Sequence, residues 1–457
     1  MEPGVDKLTY EIFSILESKF LFGYDDATKL FSSPNAAGSP AATAVASTGA
    51  SGKATPVRVL PAETGKVCIL SIDGGGRAAD GLLAGAALVL LESSLRRRTG
   101  DDRARLADFF DVAAGSGAGG VLAAMLVARG PDGRPLFSAA DALAFLLRSL
   151  NNRHHRGGGG SWSSSSSSGG GLMRALLFRR GGGAAAFRKV FGDLTLRDTV
   201  RPVLVPCYDL GTAGPFLFSR ADAVETRAYD FHLRDVCAAT CAGADGAAVE
   251  VRSCDGSTRI AAVGGGVALG NPTAAAITHV LNNKREFPLA GGVEDLLVVS
   301  IGSGEGGGGG CGAAASSSEI VRIAAEGVAD MVDQAVAMAF GHNRTSNYIR
   351  IQATGTPRAG NNKGSGGGGE SLAAEEMLSQ KNVESVLFRG KKVAEQTNAE
   401  KLERFAHELV KERDRRRTSP LSPAVVKSTA PGSDSGAHQP PPASYSNLVS
   451  HMLTSIM

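Results

Sequence analysis

Three glycine-rich turns are the residues of this chain whose types and spacing could do chemistry. In chain order they are Asp73-Gly74-Gly75-Gly76, Gly115-Ser116-Gly117-Ala118-Gly119-Gly120 and Val263-Gly264-Gly265-Gly266. Successive glycines at the end of a strand let backbone N–H groups converge on one point, because no Cβ atoms obstruct the approach. Such a nest of amides stabilises an anion, either a phosphate or the oxyanion that forms during acyl transfer.

The segments around these turns predict the elements that would hold them. Two buried strands, at residues 67–72 and 107–114, each end at a glycine turn, and helices are predicted after them at 81–98 and 121–128. Strand, glycine turn and helix in that order, twice, are typical of βαβ units and a mainly parallel sheet. The third turn is followed by Asn271-Pro272, a good N-cap and first-turn pair that predicts a helix start.

We predict five segments from composition and periodicity: an N-terminal amphipathic helix (1–31), a flexible linker (32–65), the core (66–284), a C-terminal part of the same domain (285–417) and a disordered tail (418–457). The second half holds a further buried strand at 296–301 and helices at 319–342 and 398–417. Low-complexity runs at 156–171, 304–318 and 359–370 predict surface loops, because such chains cannot repay their ordering entropy.

Composition excludes several classes of function. The 457 residues are 43% hydrophobic and carry a net charge of +3 with both signs well mixed, which argues against a nucleic-acid partner. The six cysteines form no CxxC pair, so we expect thiols used as small hydrophobes, no metal and no cofactor. The strongest apolar run, 81–91, is shorter than the ~20 residues of a membrane span. We therefore expect a cytoplasmic protein, peripheral at a membrane surface if it meets lipid.

Four segments taken in order carry a family resemblance. SIDGGG, DVAAGSGAGG, AAVGGGVALGNPT and LLVVSIGSG resemble the landmark segments of patatin-like phospholipases, and NVESVLFRGKKVAEQTNAEKLERFAHEL resembles the C-terminal part of the plant members. The resemblance covers roughly residues 6–23 and 66–415, and the ordered set is specific where one glycine turn alone would be weak. It implies a three-layer α/β/α sandwich around a mainly parallel central sheet. It also implies hydrolysis of ester bonds in membrane phospholipids and galactolipids.

The resemblance also places the site. Family members use a serine on a G-x-S-x-G elbow, an aspartate in a D-G-G or D-G-A turn and no histidine, with an oxyanion hole in a D-G-G-G turn. Gly74, Gly75 and Gly76 match the oxyanion hole, but the nucleophile position is Gly117 and the aspartate position is Gly264. Glycine at both positions resembles the third group of plant patatin-related enzymes, for which acyl hydrolysis is still the family assignment. The stretch after the first turn, RAADG, departs from the family's G-x-R-G.

Ser116 is the candidate nucleophile that remains. Glycine has no nucleophilic side chain, but centring the elbow on Ser116 gives Ala114-Gly115-Ser116-Gly117-Ala118, with small residues on either side. That frame requires a slip of one residue, which turns the side chains of the strand over. The alternative is a turn hydroxyl bonded to local backbone. Asp73 and Asp255 are the nearest acids by sequence, and His279 is expected to be structural.

Two other functions compete with acyl hydrolysis. Residues 115–120 fit G-x-G-x-x-G, but a dinucleotide site needs a second strand with an acidic end about 20 residues on, where this chain has the turn GPDGRP. The stronger rival is a catalytically inactive lipid-binding or regulatory protein on the same fold, which the loss of both dyad residues favours. Our prediction is a lipolytic acyl hydrolase with an atypical site, with membrane lipids as its partners.

Overall fold

The computed structural model describes residues 65–151, 182–242, 248–304, 317–354, 369–386 and 390–418. The predicted N-terminal helix, nearly all of the linker and the tail from residue 419 lie outside these residues, as do the low-complexity runs except for their ends.

A central sheet of mixed direction organises the described residues. Its strands are β1 (Val67–Ile72), β2 (Val112–Gly115), β3 (Val203–Asp209), β4 (Gly214–Ser219), β5 (Val249–Arg252), β6 (Arg259–Val263), β7 (Leu296–Ile301) and β8 (Tyr348–Ile351). They are ordered β5-β6-β3-β2-β1-β7-β8, with β4 also paired to β3. The pairs from β3 through β2, β1 and β7 to β8 are parallel, and β4, β5 and β6 add antiparallel pairs.

Helices connect these strands and cover the sheet. They are α1 (Leu82–Thr99), α2 (Gly117–Val127), α3 (Ala139–Asn151), α4 (Gly182–Phe191), α5 (Arg220–Glu225), α6 (Leu233–Thr240), α7 (Gly265–Ala268), α8 (Thr273–Asn282), α9 (Ser317–Phe340), α10 (Arg344–Asn347), α11 (Gly369–Ser379) and α12 (Asn398–Thr418). A small antiparallel ribbon, β9 (Lys381–Val386) and β10 (Gly390–Thr397), precedes α12.

Alternate residues of β1 enter two separate cores, which confirms the predicted three-layer sandwich. Cys68, Leu70 and Ile72 pack into one core with α1, α2 and α12, whereas Val67 and Ile69 pack into another with α8 and α9. A strand with helices on both faces has no side exposed to water, so an uninterrupted apolar sequence is what it requires.

Two predicted boundaries were wrong. The strand predicted at 107–114 begins only at Val112, because Leu106–Asp108 forms a 3-10 turn whose apolar side chains are buried without belonging to the sheet. The helix predicted from residue 121 begins at Gly117, inside the glycine run. Seven strands were not predicted, namely β3 to β6 and β8 to β10.

The C-terminal part belongs to the same sheet, because β7 pairs with β1 along its whole length. Helix α12 is fastened at its end by an ion pair between Arg416 and Asp111 at 2.7 Å, and Asp111 also accepts a hydrogen bond from the amide of Cys68 at 2.8 Å. Ala78–Thr99 has the length and apolar composition of a membrane span, but most of it is buried inside the domain, as in a core helix of a globular protein.

Candidate active site

The second glycine turn forms a sharp elbow between β2 and α2. Ser116 is extended, with φ −113° and ψ 146°, and Gly117 opens the helix with φ +52°. A positive φ of this kind is costly for any residue with a Cβ atom. The amide of Gly117 donates to Thr240 Oγ1 at 2.9 Å, which fixes the elbow against the end of α6.

The three glycine turns converge on one end of the sheet. The amide of Ala118, on the elbow, donates to the carbonyl of Gly75 at 2.9 Å, so the first and second turns are in backbone contact. A Cβ atom on Gly266, in the third turn, would lie 2.9 Å from the carbonyl oxygen of Gly74. The structure thus brings together all three turns that the sequence singled out.

The first turn offers backbone donors that bind no acceptor among the described residues. Asp73 donates its amide to Ile301 O at 2.8 Å, but the amides of Gly74, Gly75 and Gly76 make no hydrogen bond within the described part of the chain. Gly75 and Gly76 are also partly exposed. Adjacent free amides at a strand end are the donors that an oxyanion or a phosphate requires.

The two predicted dyad positions, Gly117 and Gly264, have backbone atoms packed too closely for a Cβ atom. A Cβ atom on Gly117 would overlap the carbonyl oxygen of Gly75, and one on Gly264 would lie 2.6 Å from the carbonyl oxygen of Ala242. Both neighbours are backbone atoms, which move only with their turns. The elbow as folded therefore has no room for a serine at Gly117 or an aspartate at Gly264.

Ser116 is buried at the centre of the three turns. Its Oγ lies 3.1 Å from Gly74 O in the first turn and 2.9 Å from Gly270 O after the third, so that both carbonyls are acceptors for its single hydroxyl hydrogen. Its exposed fraction is 0%. The contacts are those of a hydroxyl bonded to backbone, and its role as a nucleophile stays a prediction.

A buried ion pair holds the first residue of the first turn, Asp73. Arg350 Nη2 on β8 lies 2.6 Å from Asp73 Oδ2, and both side chains are 6% exposed. Burial opposes the charge of Arg350, but the carboxylate of Asp73 outweighs it and holds the pKa of the guanidinium above its ordinary value. The pair fixes the charged end of the turn while leaving the glycine amides free.

Hydroxyl groups extend this anchor to the neighbouring elements. Arg350 Nη1 donates to Ser300 Oγ at 2.7 Å, and Thr273 Oγ1 lies 2.9 Å from Ser300 Oγ and 2.8 Å from Ser71 Oγ. The side chain of Asn271 accepts from the amide of Thr273 at 3.0 Å, but α8 begins at Thr273 with Pro272 at its N-cap, one residue later than predicted. Strands β1, β7 and β8 are thereby joined to the start of α8.

Asp80 is a carboxylate beside the first turn that sequence reasoning missed. It is the acid that a Cβ atom on Gly75 would meet, and it pairs with Arg77 at 2.6 Å. Its signal lay in the RAAD stretch, where an acid three residues after Arg77 closes a short 3-10 turn. Asp255, by contrast, binds Ser253 and Ser257 in the turn between β5 and β6, and Asp73 is committed to Arg350.

An exposed apolar face flanks the third turn. On α9, Ile320, Ile323, Met331 and Met338 fall on one stripe and Val321 and Val328 beside it, an arc of about 160° at 3.6 residues per turn. These side chains are 52–69% exposed, and Val267, next to the third turn, is 62% exposed. The carbonyl of Ala325 on α9 lies near Gly270, so the face begins at the elbow end of the sheet.

His279, on α8, is kept neutral by its surroundings. Its Nε2 is buried and has no hydrogen-bond partner among the residues that the structure describes, its ring meets Phe287 edge-on, and burial lowers its pKa to about 4. This environment agrees with the predicted structural role. Among the described residues no group of three His, Cys, Asp or Glu side chains could hold a metal ion.

The buried imidazole of His279 should weaken the protein in acid. The unfolded chain takes up a proton on this histidine near pH 6.5, but the folded chain does so only near pH 4, so proton uptake favours unfolding in that window. Between about pH 7 and about pH 4.5 this lowers the free energy of unfolding by about 2.5 kcal/mol. His279→Phe should remove that part of the pH dependence in urea titrations. Parallel pH curves for both proteins would contradict the assignment.

Comparison with known proteins agrees with this geometry. A family model described as "Patatin-like phospholipase" matches residues 70–277, which contain all three turns. "Patatin-like protein 3" of Oryza sativa subsp. indica is 56% identical, over 91% of this chain and 93% of its own length. The chain belongs to the patatin-like phospholipase family. The predicted resemblance and fold are confirmed.

Two further relatives show how the family divides. "Patatin-like protein 7" of Arabidopsis thaliana is 48% identical over 93% of this chain and 85% of its own length. "Probable inactive patatin-like protein 9" of the same plant is 41% identical over 90% of this chain and 94% of its own length. Relatives of comparable similarity are therefore named in two ways, some simply as patatin-like proteins and one as probably inactive.

Proposed function

We propose that the protein is a lipolytic acyl hydrolase, which releases fatty acids from membrane phospholipids and galactolipids through an atypical active site. The observation that carries this proposal is the set of free amides at Gly74, Gly75 and Gly76, beside the elbow of a patatin-like phospholipase fold. Donors already in place where negative charge develops lower the barrier of acyl transfer, because they need no reorganisation during the reaction.

The apolar face of α9 supports a lipid substrate. Six exposed aliphatic or methionine side chains on one helix face cost free energy in water and gain it in contact with acyl chains. Since this face begins beside the third turn, a membrane that covered it would present lipid esters near the glycine amides. We therefore place the membrane contact at the elbow end of the sheet.

In this proposal Ser116 supplies the attacking oxygen. Its hydroxyl must first leave the carbonyls of Gly74 and Gly270, and the elbow must shift by one residue, so that substrate binding is coupled to a local rearrangement. Asp80, beside Gly75, is the candidate acceptor of the serine proton. Release from Arg77 would be needed for Asp80 to act in this way.

A lipid-binding protein without hydrolytic activity is the second candidate. The overlap between a Cβ atom on Gly117 and the carbonyl of Gly75 favours it, because the closed elbow has no place for the usual nucleophile. The same free amides would then bind a phosphate or another headgroup anion. A similar relative named "Probable inactive patatin-like protein 9" fits this candidate.

Release of free fatty acids from mixed phospholipid and galactolipid vesicles separates the two candidates. The natural protein should release fatty acids, and Ser116→Ala should lose about a thousandfold or more in rate, because a lost nucleophile cannot be replaced by binding alone. Ser93→Ala on the exposed side of α1 is the matched control and should be unaffected. Equal release by the natural protein and Ser116→Ala would leave an enzyme whose nucleophile is another group.

Vesicle flotation completes the test. Met331→Asp places a charge at the centre of the apolar face, and we expect it to weaken vesicle binding about tenfold or more. No release from any protein, with flotation lost only in Met331→Asp, would establish the lipid-binding candidate. No release together with no flotation would exclude both.

A further inference from the structure

A large cavity lies at the end of the sheet opposite the elbow. Its volume is about 1090 Å³, and it is lined by the residues that precede β2 and β3 and by those that follow β4. The glycine turns lie instead at the ends of β1 and β2. Because β2, which runs from the cavity end to the elbow, spans four residues at about 3.3 Å each, the two regions are separated by roughly 13 Å of sheet.

The cavity is unusually rich in arginine. It is lined by six guanidinium groups, those of Arg129, Arg134, Arg197, Arg201, Arg220 and Arg227. Five acids also line it, Asp108, Asp198, Asp230, Asp255 and Glu286. The distribution of these charges is what decides the chemistry of the cavity.

Most of the acids are committed elsewhere along the lining. Asp108 pairs with Arg134 at 3.1 Å, Asp198 accepts from Thr195, and Asp255 accepts from two serine hydroxyls. Asp230 accepts from the amide of Arg197. Within the lining, Glu286 is the only acid left to balance the positive charge of the group formed by Arg129, Arg201 and Arg220. Its Oε1 lies 3.6 Å from Arg220 Nη1, which is too long for a direct hydrogen bond.

Arg220 is the centre of this group. It is only 9% exposed, and its Nε is buried without a hydrogen-bond partner in the described part of the chain. Burial lowers the pKa of its guanidinium, Glu286 opposes that effect, and the positive charges of Arg129 and Arg201 add to it. A buried donor without a partner is unfavourable, and a hydrogen bond to a ligand oxygen would remove that cost.

Arg129 and Arg201 are positioned without being neutralised. Arg129 Nη2 donates to the carbonyl of Thr199 at 3.0 Å, and Arg201 Nε donates to the carbonyl of Ala107 at 2.7 Å. A carbonyl orients a guanidinium but leaves its full charge and its other donors available. Arg201 is 4.0 Å from Asp111, and that carboxylate is already bound by Arg416 at 2.7 Å.

We propose that this cavity is a second binding site, which takes a phosphate group between the guanidiniums of Arg129, Arg201 and Arg220. Guanidinium groups match phosphate oxygens in pairs, which is why they recur in sites for phosphate esters. The cavity is far larger than a phosphate ion, so the ligand carries the phosphate on a polar body. A flat membrane at the elbow end cannot reach it, which favours a soluble phosphate ester over a lipid headgroup.

Thermal unfolding of the full chain in phosphate and in chloride at equal ionic strength tests the site. Inorganic phosphate should raise the unfolding temperature of the natural protein, because a ligand that binds only the folded state stabilises it. Arg129→Gln, an exposed position, should weaken the apparent phosphate affinity about tenfold, and Arg201→Gln should act likewise. Arg252→Gln is the matched control, since it removes an exposed arginine already paired with Glu250 at 2.7 Å outside the cavity.

Vesicles of phosphatidylcholine with and without phosphatidic acid distinguish the two sources of phosphate. A phosphate effect that is lost in Arg129→Gln, with vesicle binding unchanged by that substitution, supports a soluble ester. Loss of binding to phosphatidic acid in the same variant supports a lipid headgroup. An unfolding temperature that does not respond to phosphate, or that responds equally in Arg129→Gln, overturns the proposal.

Discussion

Replacing Arg350 with methionine is expected to lower the free energy of unfolding by about 3–5 kcal/mol, because it leaves the buried carboxylate of Asp73 without its counter-charge. The substitution also removes the donor to Ser300 that joins β8 to β7. Urea titrations of the natural protein and the variant would measure the effect. Fatty acid release or vesicle binding should fall with it, since the same pair fixes the turn that carries the glycine amides.

Two further variants show whether burial is the cause. Arg97→Met breaks the surface pair with Glu403, whose side chains are 63% and 31% exposed, and should cost less than about 1 kcal/mol. Adding Asp73→Asn to Arg350→Met should recover part of the loss, because no buried charge then remains. If Arg350→Met costs no more than Arg97→Met, the carboxylate of Asp73 is reached by water and does not depend on its partner.

Gly117→Ser is the second substitution with a large expected effect, a loss of about 3 kcal/mol in the free energy of unfolding. About 1–2 kcal/mol comes from a positive φ in a residue with a Cβ atom. The rest comes from the overlap with the carbonyl of Gly75, at a cost typical of overpacked sites. Restoring the family's nucleophile at its usual position should therefore strain the fold before it restores chemistry.

Gly192→Ser isolates the part due to overlap. Gly192 has φ +55°, close to the +52° of Gly117, but a Cβ atom there would meet nothing within 4 Å. The difference between the two variants in urea should be about 1–2 kcal/mol. Equal costs would mean that the first turn yields easily, and the elbow could then hold a side chain. In that case Gly117→Ser with Gly264→Asp should be assayed for new hydrolysis, which we otherwise expect to be absent.

Continuous local patterns made much of the fold predictable. The apolar runs of β1 and β7 are buried on both faces, and α12 has regular amphipathic spacing. None of these three elements required information from elsewhere in the chain to be predicted. The segment before β2 was misassigned because Ala107, Phe109 and Phe110 are apolar for packing around a 3-10 turn. Over so few residues, an apolar run looks the same whether its side chains are buried beside a turn or belong to a strand, so the sequence could not separate the two.

The supports of the site depend on contacts between residues far apart in sequence. Arg350 interrupts the apolar pattern of the four-residue strand β8, and its partner Asp73 lies at the end of β1, so no local signal joins them. The exposed apolar face of α9 could not be predicted from the sequence either, because apolar residues at helical spacing normally indicate a buried face. The positions of the three glycine turns could be predicted, because each turn is a short continuous sequence and the three follow one another in the order of the family's landmark segments.

The pairing of β1 between β2 and β7 has a consequence for synthesis on the ribosome. Residue 67 emerges long before residue 296, and until then one side of β1 is an unpaired edge of apolar residues that can pair with other chains. The segment 70–277, which the family model matches, ends before β7, so a nascent or truncated chain of that length carries every glycine turn but lacks β7 and β8, the strands beyond β1. We therefore expect chains that end before residue 296 to aggregate unless the open edge of β1 is covered by another protein.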